Sequence, residues 1–374
     1  MNKNFNKILQ MKSLNSFAMA FVSIFIPIYL LNIGYSFQMV MVWMIITHTS
    51  LLICAFVAIY TSNHIGLVHS LHIRFILLLI YFSLLLFGLK DFPVLFYVIP
   101  ILIGAEGAFY WMPLNILFIR NTEKETMGKS MSKFLVVPKV LSMFSPVIGA
   151  FIALHFGFLS LFALAMFLLL FVFLPILSLK SEKTNFIFSW HKVREIFKEN
   201  KHYFIPEVID NLAEDAMVIF TIFIYIKLAS TLQVGIIGTI TAIASLFFTL
   251  TLGKLTDNWN KHKLLKIGAV LVSLVWFINF VVGEFIPNQW LFYISTIFAT
   301  FALKTFLVPY GSLMYNQARK GDAQFMVLRE IPTVLGRIIL FSLAILLHNQ
   351  LPILFLLVGL TFIYFWFLDS RKLE

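Results

Sequence analysis

The sequence predicts an all-α integral membrane protein: twelve transmembrane helices arranged as two pseudo-symmetric six-helix bundles. Three observations predict it. Apolar residues make up 60% of the chain and charged residues 12%, against roughly 45–50% and about 25% in soluble domains. Twelve apolar stretches approach the roughly 20 residues that a helix needs to cross a hydrocarbon core of about 30 Å. The second six of these stretches echo the first six. Runs this long without period-2 alternation are helices, because backbone groups in lipid must satisfy one another within the segment.

In chain order the expected spans are 13–32, 38–60, 72–89, 94–118, 132–155, 157–179, 205–227, 233–252, 264–283, 290–312, 325–347 and 352–368. They form an N-terminal bundle within 1–180 and a C-terminal bundle within 205–374, joined by a linker over 181–204. The first span follows Lys3, Lys7 and Lys12 and exceeds a signal-peptide core, so it reads as an uncleaved anchor. The second span holds Cys54, the single cysteine, which excludes a disulfide framework and a thiolate metal site. In the linker, Phe186, Trp190, Val193 and Phe197 recur at helical spacing with Lys192, Arg194, Lys198 and Lys201 between them. That pattern suits an amphipathic tether lying on the cytoplasmic leaflet. The 43 phenylalanines read as lipid-facing filler.

The net charge of +11 is a topology signal. Lys and Arg gather at the N-terminus and in alternate loops: Arg74, then Arg120 to Lys133, Lys180 to Lys201, Lys254 to Lys266, Arg319 with Lys320, and Arg371 with Lys372. The opposite side holds Lys90 and Lys227 alone. By the positive-inside rule both termini are cytoplasmic, in a multi-pass protein of the cell (inner) membrane. No nucleic-acid partner is implied.

The halves align at one offset in two separate places. Asn63 falls on Asp257, with His69 and His72 on Lys263 and Lys266, and farther along Pro138 falls on Pro332. The polar run Gly253-Lys254-Leu255-Thr256-Asp257 precedes a basic cluster of Lys261, His262 and Lys263. This resembles the loop signature Gly-x-Leu-x-Asp plus basic cluster of the major facilitator superfamily. Asn260 stands where that loop usually has glycine, and also tolerates a left-handed turn. In the first half Asn63 replaces the acid and histidines replace most of the basic residues. The stretch from Glu106 to Lys129 and the run from Arg329 to Arg337 resemble a little-characterised bacterial branch. The resemblance implies two bundles that rock about a central site, lined by the first and fourth helices of each half, in a monomer. By it, span 7 faces the cavity, as do span 4 with Glu106, Tyr110 and Trp111, and span 10 with Lys304. Ser145-Pro146-Val147-Ile148-Gly149-Ala150 resembles, in degenerate form, an element of the superfamily's antiporters, against a plainer reading as generic helix packing.

An ionisable group at mid-bilayer costs on the order of 3 kcal/mol by insertion scales, which makes each one a functional candidate. The candidates are Glu106, Lys139, Glu207, Asp210, Glu214, Asp215, Lys304, Arg329, Glu330 and Arg337. Glu207, Asp210, Asn211 and Glu214 share one helix stripe, and Asp215 points about 100° away. Carboxylates clustered on a stripe can pass a proton, so Asp210, Glu214 and Glu106 are proton-coupling candidates. Their plainer reading is solvation for Glu207, near the cytoplasmic end, and pairing of Asp210 or Glu214 with Arg329 or Arg337. Arg337 keeps its charge and must meet a carboxylate, carbonyls, water or an anionic solute. Tyr110, Trp111, Asn211, Lys304 and Arg337 are cavity or substrate candidates. Gly253, Leu255, Asp257, Lys261, Lys263, Arg329 and Glu330 are gating candidates. Pro113, Pro309 and Pro332 read as kinks.

Gly128-Lys129-Ser130 ends like a phosphate-binding loop, but Glu123 stands in place of the first glycine and no strand precedes it. No nucleotide-driven pump, enzyme or cofactor is expected. His48, His64, His69 and His72 lack metal-ligand spacing and read as structural. The expected function is secondary active transport of a small solute by alternating access, coupled to protons, with a lean to export. Uptake is the alternative, and a non-transporting sensor or lipid scramblase the second class.

Overall fold

The computed structural model describes the backbone of residues 3–87, 89, 91–122, 127–184, 191, 194–195, 198 and 201–368. Within these it describes all side chains but those of residues 3, 87, 127–129, 131–132, 201, 254, 256–258, 315–324 and 326. Helices α1 (Lys3–Ala20), α2 (Phe25–Asn32), α3 (Phe37–Ile65), α4 (Leu67–Phe87), α5 (Leu95–Arg120), α6 (Met127–Ser142), α7 (Ser145–Leu170) and α8 (Phe173–Leu177) build the first half. Helices α9 (Lys201–Leu228), α10 (Thr231–Asn258), α11 (Lys261–Phe285), α12 (Gln289–Leu346), α13 (Leu351–Thr361) and α14 (Tyr364–Phe367) build the second. No strand occurs among the described residues. Eight stretches among them are long and apolar enough to cross a membrane, so the chain is a multi-pass α-helical membrane protein.

Eight is fewer than the twelve expected, for identifiable reasons; one is that span 12 is the shorter apolar stretch Leu351–Phe367. Spans 5 and 6 fall in one 45-residue stretch, Lys133–Leu177. Within it α6 stops at Ser142, α7 restarts with Pro146 in its first turn, and Gly157 breaks α7 with φ +83°. Span 7 is the helix α9, but five carboxylates and lysines between Glu207 and Lys227 lower its hydropathy. Spans 10 and 11 share the 58-residue α12. A straight helix would separate Tyr310 and Arg329 by about 28 Å, yet both side chains reach the carboxylate of Glu207. The chain of α12 therefore doubles back between them and forms two arms.

Starts of helices are fixed by capping, since the first N–H groups lack intrahelical acceptors. Ser36, Ser230, Asn260 and Asn288 accept from Met39, Gln233, His262 with Lys263, and Trp290. Asn260 has φ −64° and serves as an N-cap, so the left-handed turn it could tolerate is not used. The Val147 N–H, another first-turn orphan, donates to Thr239 Oγ1 of α10 at 3.1 Å.

Polar contacts define the two ends of the bundle. At one end Lys7 Nζ donates to the Ser178 carbonyl at 2.7 Å, the Leu67 N–H to the Glu182 carbonyl at 2.8 Å, and Arg120 Nη1 to the Lys183 carbonyl at 2.9 Å. This end, called the terminal face below, gathers the start of α1, the α3–α4 junction, the end of α5 and the segment after α8. At the opposite, far face Gln233 Nε2 donates to Gln289 Oε1 at 3.2 Å, joining the starts of α10 and α12. The linker helix expected around Phe186, Trp190, Lys192, Val193 and Phe197 lies outside the described residues.

Many phenylalanines are not lipid-facing. Phe220, Phe223, Phe292, Phe355 and Trp276 form one buried cluster of edge-on and stacked rings, and Phe306, Phe362, Phe365 and Tyr310 another. Between helices in lipid there is no water to expel, so dense ring packing supplies the adhesion that burial supplies in soluble proteins.

The two halves touch along two seams, α3 against the second arm of α12 and α7 against α10. The second is exceptionally close. A Cβ added at Gly235 would lie 2.4 Å from Ala150 Cβ, and one at Gly238 would lie 2.8 Å from Pro146 Cβ. The Pro146–Ala150 element thus packs on small residues of the other half.

Candidate functional site

Three charged clusters occupy the interior, and their partners come from separate helices. In the first, Arg74 is 1% exposed inside α4 and donates through Nε to Glu106 Oε1 of α5 at 2.5 Å. Its Nη2 donates to Asn15 Oδ1 of α1, and its guanidinium lies 4.1 Å from the centre of the Tyr110 ring. Arg74 was expected in a loop; the structure corrects this, because α4 begins at Leu67. Glu106 has the cation that its depth demands.

The second cluster centres on Glu207, 2% exposed and not solvated as expected. Its Oε1 accepts from Arg329 Nε at 2.8 Å and Thr333 Oγ1 at 3.1 Å, and Arg329 Nη2 lies 2.7 Å away. Oε2 accepts from the Tyr310 hydroxyl at 2.9 Å. Asn211 donates to the Glu207 carboxylate at 3.1 Å and to its carbonyl at 2.9 Å, which locks the side chain along α9. Helix α9 and both arms of α12 are pinned together by one carboxylate. Asp210, a turn away, is buried, and its Oδ1 has no hydrogen-bond partner among the described residues.

The third cluster joins the halves. Arg337 Nε lies 3.0 Å from Asp215 Oδ2, an ion contact off the N–H axis, and Nη2 lies 3.8 Å from Glu214 Oε2. On its other side Arg337 Nη1 is 3.3 Å from His48 Nδ1 of α3. His48 Nε2 is 3.7 Å from Asp215 Oδ2, and the imidazole stacks on Phe341 with centroids 5.6 Å apart. Arg337 therefore pairs with Asp215 more closely than with Glu214, and Arg329 pairs directly with Glu207, with Asp210 in electrostatic range. Sequence reasoning missed Asn15 and Arg74 and gave His48 no role. The signal for Arg74 was its place two residues inside span 3, opposite a carboxylate that needed a cation.

On α5 and α9 the less buried positions fall in narrow stripes. From Ala105 to Phe118 every α5 residue is buried except Gly107, Trp111 and Asn115, spaced four apart. From Pro206 to Val218 of α9 the one exposed residue is Glu214, whose side chain is 58% exposed. A lone carboxylate exposed on an otherwise buried helix belongs on a water-filled surface, because lipid would not solvate it. Lys304 of α12 lies in electrostatic range of Glu214 and Asp210. Lys139 of α6 lies in range of Lys304, Glu214 and Lys12, and its Nζ donates to Ser245 Oγ of α10.

The loop candidates are scattered by comparison. Gly253 is helical with open space around it, Leu255 is exposed, and the side chain of Asp257 lies outside the described residues. Lys261 Nζ donates to Ser312 Oγ at 3.1 Å and Lys263 is exposed. Glu330 lies in electrostatic range of Arg329 and Arg337. No group of residues that could hold a metal ion occurs among the described residues. No family model matches the chain, and no curated protein matches it.

Proposed function

We propose that this chain is a secondary active transporter of a small solute, working by alternating access in the manner of the major facilitator superfamily. In this reading its twelve helices form two six-helix bundles, with both termini on the cytoplasmic side of the cell membrane. One observation carries the reading. Arg337 and Asp215 of the second half meet His48 of the first midway along their helices, and Arg337 also reaches the accessible carboxylate of Glu214. Buried charges shared between two mobile bodies stabilise one arrangement and must be exchanged or solvated in another. Supporting it, contacts between the halves among the described residues include several midway along the helices or toward the far face: His48 with Arg337, Lys139 with Ser245, and Pro146 and Ala150 with Gly238 and Gly235. In this reading these contacts belong to a state closed on the far side.

Proton coupling rests on Asp210 and Glu214. Asp210 is buried with an unpartnered oxygen, and Glu214 is accessible. Glu106, held by Arg74, is the weaker carrier. The test is proton movement across liposomes containing the purified protein while a panel of small solutes is added. Solute-dependent acidification or alkalinisation, lost in Asp210→Asn or Glu214→Gln, is the expected result and gives the direction. Gradient-driven transport unchanged in Asp210→Asn, Glu214→Gln and Glu106→Gln together would remove proton coupling.

A further inference from the structure

We propose that the transported solute is a small organic anion, bound between Lys12 and Lys139 of the first half and Lys304 of the second. The inference rests on the transporter reading above and names its substrate class. Three lysines from α1, α6 and α12 converge on the interior, and none has a carboxylate within salt-bridge distance among the described residues. Lys12, 8% exposed, places its Nζ 3.4 Å from the centre of the Phe134 ring. Lys139 has the Ser245 hydroxyl as its hydrogen-bond partner, and Lys304 is half-buried.

The charges that face these lysines are accounted for element by element. Helix α9 presents Glu214 and, more deeply, Asp210. Glu214 is shared with Arg337, and Asp215 is taken by Arg337 and His48. Glu207 is saturated by Arg329, Tyr310, Thr333 and Asn211, and Glu106 by Arg74. The interior is left with three ammonium groups, Lys139 and Lys304 partly accessible and Lys12 buried beside Phe134, against the accessible Glu214 and the buried Asp210. Low-dielectric walls sharpen that imbalance into a positive potential that concentrates anions. Because the lysines come from both halves, like-charge repulsion opposes closing the empty site, and a bound anion relieves it. Trp111, 43% exposed on the Gly107–Asn115 stripe, is the flat apolar wall we assign to the solute's carbon skeleton.

The single native cysteine makes a direct test available. In a Cys54→Ala background, Trp111→Cys and Asn115→Cys are labelled in phosphatidylcholine vesicles with anionic, cationic and neutral methanethiosulfonates. Rates are divided by those of a free thiol in water. A potential of one kT favours the anionic over the cationic reagent by about sevenfold, and Lys139→Gln with Lys304→Gln should erase that preference. Labelling by the neutral reagent with equal or greater reactivity toward the cationic one would overturn the anion assignment and leave the transporter reading standing. No labelling by any of the three would overturn both. A lipid phosphate carries the same charge as the proposed solute. Protection by added phosphatidylglycerol, with none by benzoate, would assign the site to a lipid headgroup and overturn the soluble solute; protection by benzoate is expected.

Discussion

Arg74 shows how single residues organise this interior. Its guanidinium satisfies Glu106, Asn15 and the face of Tyr110 at once, so three helices depend on one side chain. Removing one partner of a buried pair leaves an uncompensated charge and costs about 3–5 kcal/mol, whereas replacing both by apolar groups can be nearly neutral. Arg74→Met should therefore lower the thermal stability of the detergent-purified protein sharply, and Arg74→Met with Glu106→Leu should recover most of it. A double variant as unstable as the single would show that Arg74 holds the fold by other contacts. Glu207 behaves differently, because its amide analogue keeps the shape. Glu207→Gln preserves a carbonyl oxygen for Tyr310 or Thr333 but forfeits the charge on Arg329, so transport should fall more steeply than expression. Loss of both in parallel would make Glu207 a purely structural group.

At the scale of helices, close approach is dictated by small residues. A Cβ on Gly104 would meet the Thr47 carbonyl oxygen at 2.2 Å, and one on Gly336 the Val208 carbonyl oxygen at 2.3 Å. These glycines set how tightly α5 packs on α3 and the second arm of α12 on α9. Gly104→Val should unfold or mispack the first half, while Gly311→Ala, with nothing within 4 Å, should be silent. Size-exclusion behaviour in detergent separates the two outcomes, and equal tolerance would contradict the packing described.

Element positions were legible in the sequence because a lipid-spanning helix needs a long apolar run, and the expected spans are helical over most of their described residues, with turns interrupting four of them. What was not legible had physical reasons. Arg74 looked like a loop cation because a charge two residues into a span resembles one at its edge. Glu207 looked solvated because its partners, Tyr310, Arg329 and Thr333, lie more than a hundred positions away. The core phenylalanines looked like lipid-facing residues because hydropathy does not distinguish lipid from a neighbouring ring. Asp210, Glu214 and Lys304 were visible as charges, but that Lys304 lies in electrostatic range of both carboxylates emerged only from three-dimensional placement.

For the whole molecule, the proposed alternating access needs two bodies that exchange contacts on one face for contacts on the other. The wedge that should force this exchange without any solute is Gly235→Leu, since Ala150 and Pro146 leave no room for a side chain there. The most direct measurement is a pair of spin-label distances in Cys54→Ala protein. One pair sits on the far face at Asp91 and Asn349, the other on the terminal face at His64 and Trp259; all four residues are exposed. With the wedge in place, the far-face distance should lengthen while the terminal-face distance shortens. A far-face change with the terminal-face distance unmoved would mean a local distortion, and would contradict two halves that rock about a central site.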